Sequence, residues 1–123
     1  MKLEMMILKN LIFNEDYARK VLPFIKSEYF SDRTEKTIFN VTQDFILEYN
    51  NIPTYESLVI ITKKLSIKEN ELESCLNTLN DINKLKEEKS NQEWLITETE
   101  KFCQEKAVYN AIMQSIQILD NKV

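Results

Sequence analysis

Not one of the 123 residues is glycine. Glycine enters positive φ without a Cβ penalty and lets a backbone approach a ligand closely. Its absence excludes the phosphate-cradling loops of nucleotide-binding proteins, because neither a P-loop nor a GxGxxG turn can be written without it. It also removes the residue that tight β-hairpin turns prefer. The expectation is therefore an all-α chain: a compact bundle of about five short helices followed by one long C-terminal helix.

Histidine is absent too, which takes away the commonest general base and the commonest metal ligand. Cys75 and Cys103 stand far apart, so no CxxC zinc pattern exists. No catalytic, cofactor-binding or metal-binding residue is expected. The apolar fraction of 43% and the charged fraction of 29% describe a globular chain rather than a disordered one. No apolar run approaches the roughly 18 to 20 residues that span a bilayer. The opening MKLEMMILKN carries Glu4 and lacks a small-residue cleavage site, so a secretory signal is not expected. Two lone cysteines fit a reducing cytoplasm. A formal net charge of −4 argues against an electrostatic footprint on nucleic acid.

Apolar spacing and capping residues divide the chain. Met5, Ile7, Leu8, Leu11 and Ile12 predict a helix over Leu3 to Phe13. Asn14 caps a second, with Glu15 and Asp16 at its positive end and a stop near Pro23. In the loop that follows, Tyr29 and Phe30 are placed to plug the core. Asp32 with Glu35 reads as a capping-box-like pair opening a third helix, whose stripe is Ile38, Val41, Phe45 and Tyr49, widened by Phe39 and Ile46. It ends near Asn50-Asn51, before Pro53. Thr54 caps a fourth helix carrying Leu58, Ile61 and Leu65. Ser66 and Glu69 form an S-x-x-E box for a fifth, through Leu72, Cys75, Leu76 and Leu79. The polar stretch NDINKLKEEK (80–89) reads either as a linker or as a weak turn of helix. Ser90 and Glu93 supply another box just before Trp94 and Leu95. Residues 1–89 are accordingly expected to form the globule and 90–123 the long helix.

That last helix spans some 30 residues, roughly 45 Å at 1.5 Å per residue. Leu95, Phe102, Tyr109 and Ile116 recur every seven positions. Ile112 and Leu119 fill the intervening positions only in the second half, because Glu98 and Glu105 occupy them in the first. Val108, Ala111, Met113 and Ile118 then add apolar surface outside the stripe. A helix greasy on more than one face must be buried, and nothing in the sequence up to Val123 is left to bury it. The expected cover is a partner: another copy, or sequence beyond this chain. Tyr109, Ile112, Met113, Ile116 and Leu119 are the expected protein interface.

Other clusters have plainer readings. Glu87, Glu88, Glu98, Glu100 and Glu105 are interleaved with Lys89, Lys101 and Lys106 and read as a solvated helix face. Both cysteines read as buried structural thiols. Trp94 reads as a core anchor, and the aromatics from Tyr29 to Tyr49 as core rather than a base-stacking platform.

The strings LIFNEDYARKVLPFIKSEYF, EYNNIPTYESL and EWLITETEKFCQEKAVYNA, in this order and spacing, resemble the N-terminal domain of the replicative DNA helicases of T-even-like bacteriophages, members of the DnaB-like hexameric helicases. The resemblance covers Leu8 to about Ile112, with little support between Val59 and Gln92. It implies a non-motor part of a helicase: a helical globule followed by a hairpin, whose first arm is the long helix. In that family the hairpins pair to build a collar on a hexameric ring, which docks primase, and DNA passes through the centre. Implied partners are further copies of the chain, primase and a helicase loader, with DNA contacted only through the ring and no membrane, in the cytoplasm of the infected host. The family's P-loop and arginine finger find no matching positions here, so no catalytic residue carries over. Two other readings stay open: a stand-alone phage adaptor or inhibitor that binds a replicative helicase, and a small single-stranded-DNA-binding domain.

Overall fold

In the computed structural model, which describes residues 2–122, six α-helices follow one another: α1 (Leu3–Phe13), α2 (Glu15–Val21), α3 (Arg33–Tyr49), α4 (Tyr55–Lys63), α5 (Glu69–Lys84) and α6 (Gln92–Asn121). A single turn of 3-10 helix, Ser27–Tyr29, joins α2 to α3. Among the described residues there is no strand. Met1 and Val123, the outer limits of the two expected segments, lie outside the described residues.

The helices start where short polar side chains meet their free N–H groups. Asn14 accepts from Tyr17 N, Asp32 from Thr34 N and Glu35 N, and Thr54 and Ser57 cap each other reciprocally. These caps are each worth about 1 kcal/mol. Two expected boxes do not form. The start of α5 is Glu69 behind Lys68, which has extended backbone and offers no side-chain cap. Ser66 lies two residues ahead of that cap position. At α6 the cap is Asn91, which accepts from Trp94 N at 2.9 Å, and Ser90 is displaced from that role. The stretch left open between linker and helix divides: residues 80–84 complete α5, with Ile82 buried, and the helix closes at Leu85.

At the far end of α3 the chain needs a left-handed residue and has no glycine to supply it. Asn50 does so, at φ 52°, ψ 36°. Asparagine is among the few residues that tolerate this region.

The core is built on α1, which buries Ile7, Leu8, Leu11 and Ile12. It collects Tyr17, Ala18 and Val21 from α2, Ile38 and Phe39 from α3, Leu58 from α4, Leu79 and Ile82 from α5, and Leu95 and Phe102 from α6. Phe30 plugs the middle as expected, its ring centroid 5.3 Å from that of Phe39 and 5.8 Å from that of Phe102. Tyr49 departs from its expected place. It is exposed in the last turn of α3, stacked against Phe45 at 4.7 Å, because the helix outruns the elements that cover its earlier turns.

Glu35 also departs. It falls on the inward stripe of Ile38, Phe39 and Thr42, so its carboxylate is buried and meets Lys2 Nζ at 3.1 Å instead of completing the cap. Burial raises its pKa above the ordinary value near 4.5, against the opposing pull of Lys2, and the neighbouring Asp32 and Glu4 add to the rise. The native state thus holds a proton on Glu35 more readily than the unfolded chain does, and this residue contributes stability that is lost as pH rises above the ordinary glutamate range.

Two outcomes follow for urea unfolding. Asn50→Ala is expected to cost about 1 kcal/mol, whereas Asn50→Gly is expected to match or exceed the native chain. The stability of the native chain relative to Glu35→Gln is expected to grow as pH falls from neutrality toward the ordinary glutamate pKa. A difference that shrinks instead would show the Lys2 ion pair outweighing desolvation.

Candidate protein interface

The site begins with how α6 is held. Leu95 and Thr99 have no exposed surface, Phe102 and Cys103 very little. Thr99 Oγ1 donates to Leu95 O at 2.7 Å and lies 2.7 Å from the buried Tyr17 hydroxyl, a hydrogen bond that ties α6 to α2. Burial pushes the Tyr17 phenol pKa up, outweighing the hydrogen bond to Thr99, so it stays a neutral donor. Trp94 does not serve as a core anchor. It is one residue before Leu95, about 100° around the helix, and sits 49% exposed.

Beyond Cys103 no described residue of α6 is buried. The last tie to the globule is Asn110 Nδ2, which donates to Glu28 O at 3.2 Å. From residue 111 to 122 every residue is exposed. The five residues singled out from the sequence are all on the surface: Tyr109 at 58%, Ile112 at 53%, Met113 at 40%, Ile116 at 45% and Leu119 at 63%. At 100° per residue they share an arc of about 120°. The anchoring residues Leu95, Thr99, Phe102 and Cys103 centre on a direction rotated from that arc by roughly 90°. The exposed stripe therefore lies to the side of the docking face, where the globule leaves it uncovered.

Two shallow hollows give this face its relief. One, of about 420 Å³, is lined by Gln104, Glu105, Val108, Tyr109 and Ile112. The other, of about 370 Å³, is lined by Phe24, Tyr29, Glu100, Cys103, Gln104 and Ala107. Gln104 borders both, so apolar surface runs from the free helix onto the globule. Cys103 borders the second hollow, but burial and then the charge of Glu100 raise its thiol pKa to about 11, which keeps it from acting as a nucleophile at neutral pH. Between Lys106 and Asp120 the helix has no charged residue. This surface can bind by apolar contact.

The acidic residues remain apart. Glu98 pairs with Lys101 at 3.5 Å on the surface of α6, and among the described residues no three potential metal ligands converge. No helix of the described residues is long and apolar enough to cross a membrane. Sequence reasoning missed the contribution of Phe24 and Tyr29 to the apolar face, because it depends on how α6 lies across the 3-10 turn.

No protein-family model matches the sequence. Over 115 residues, 94% of its length, the chain is 36% identical to the DnaB-like replicative helicase of Enterobacteria phage T4. The chain is a homologue of that helicase. It spans 24% of the helicase's length, so the kinship is with a domain-sized part.

Proposed function

We propose that this chain is the N-terminal collar domain of a phage replicative DNA helicase, acting by protein–protein contact and leaving ATP hydrolysis to other parts of the protein. Residues 1–89 form the globule, and 90–123 supply the first arm of a hairpin through which copies pair. In the assembled hexamer the paired domains form a ring that docks primase and a helicase loader, and DNA is met only through its centre. The kinship with a DnaB-like helicase supports this placement. One structural observation carries it: Tyr109, Ile112, Met113, Ile116 and Leu119 form an apolar stripe that their own globule leaves uncovered. Burying each of the larger side chains yields about 1.5–3 kcal/mol. Five of them contribute roughly 8–15 kcal/mol on full burial, to be set against the translational and ordering costs of association.

Sedimentation at micromolar concentration is expected to show dimers or larger species of the native chain. Replacing Ile112 and Ile116 together by Asp should raise the dissociation constant by at least about 100-fold, while the helical circular dichroism stays the same. A native chain that sediments strictly as a monomer, or a double variant that assembles like the native chain, would overturn the pairing role of this stripe.

A further inference from the structure

The hollow of about 420 Å³ on the free half of α6 is lined by Glu105, Val108, Tyr109 and Ile112, with Gln104 beside them. The first four stand at i, i+3, i+4 and i+7 of one helix. Four side chains so spaced form the hole that receives a single side chain, the knob, from a helix lying alongside. The hollow sits on the stripe that the globule leaves uncovered. Its shape calls for another helix, and the charges at the ends of the stripe say which helix and in which direction.

Lys106 and Asp120 close the charge-free segment at its two ends. They stand two heptads apart with Met113 midway. At 100° per residue all three fall on one edge of the stripe, within about 40° of one another. The Lys106 ammonium is held 5.9 Å from the centre of the Phe102 ring, and Asp120 is exposed. Neither enters the ion pairs of the described residues, which are Lys2–Glu35, Arg19–Glu15, Arg33–Glu71 and Lys101–Glu98. A two-fold axis at Met113 brings Lys106 of each copy beside Asp120 of the other, so one operation makes both pairs.

We infer that a second copy of this chain lies antiparallel on the stripe, with Leu119 of each copy seated in the hollow of the other and Lys106 beside Asp120 at both ends. The inference rests on the pairing reading above and adds its direction and register. In this arrangement Tyr109 meets Leu119 of the second copy and Ile112 meets its Ile116, so the apolar layers match in order. A parallel pair in register sets Glu105 against Glu105 within the stripe and Lys106 alongside Lys101 of the second copy, like charges both times. Antiparallel packing also sends the two globules to opposite ends, because residues 92–103, which carry each globule, lie outside the shared segment.

Charge reversal tests the direction, read by sedimentation equilibrium at low ionic strength. Lys106→Glu and Asp120→Lys each turn two attractions into two repulsions and should weaken self-association about tenfold. The double variant Lys106→Glu/Asp120→Lys should return to about the native value, and all four chains should converge at about 1 M salt. Oxidising an equimolar mixture of Tyr109→Cys and Leu119→Cys chains should give a mixed disulfide. Each chain oxidised alone should give none, its new cysteines being about 15 Å apart in the pair. The direction is overturned by a Lys106→Glu chain that assembles as tightly as the native chain or more tightly, by a double variant no tighter than the singles, or by a disulfide between two Tyr109→Cys chains. Those results leave the pairing reading standing, whereas a native chain that stays monomeric overturns both.

Discussion

Leu95, Thr99 and Phe102 hold α6 against the rest of the molecule, and the free half of the helix depends on that hold. An isolated helix pays a costly nucleation step and is marginal in water at 12 to 15 residues. Residues 107–121 have little packing to offset that cost. They inherit helical structure from the anchored turns, where nucleation is driven by burial against Tyr17 and Phe30. A rod fixed at one end also has a fixed direction at the other. The same contacts that fill the core therefore aim the apolar stripe.

The composition of that stripe says what kind of contact it makes. Salt bridges at helix interfaces set register and partner choice, yet no charge occurs between Lys106 and Asp120. Contact along this segment rests on apolar area and shape, with Tyr109 as the large aromatic anchor. Such contact is only weakly sensitive to salt.

Much of this was legible in the sequence because it depends on local rules. The absence of glycine and the 3–4 spacing predict helices, and α1 is found over Leu3–Phe13 as read. The exposure of Tyr109 to Leu119 follows from apolar residues in excess of what one small globule can cover. The failures share a cause in tertiary placement. Trp94 and Leu95 are adjacent and apolar, and only the docking of α6 decides that Leu95 turns inward. Ser90 and Asn91 are both good caps, and a shift of one residue in helix start selects Asn91. Tyr49 continues the periodicity of α3, but its stripe runs past the end of its neighbours. Glu35 and Lys9 read as solvent residues by type, and each sits on an inward stripe that overrides type.

Those two buried charges are satisfied in different ways. Glu35 has its counter-ion within the chain, in Lys2, while Lys9 donates to the main-chain carbonyl of Glu88. A buried polar group is tolerated once it is hydrogen-bonded. Each contact joins segments far apart in sequence, Lys2 ahead of α1 to α3, and the middle of α1 to the turn before α6. The second bears on α6 itself, because holding that turn against α1 helps to fix where the long helix starts and so which way its apolar stripe points.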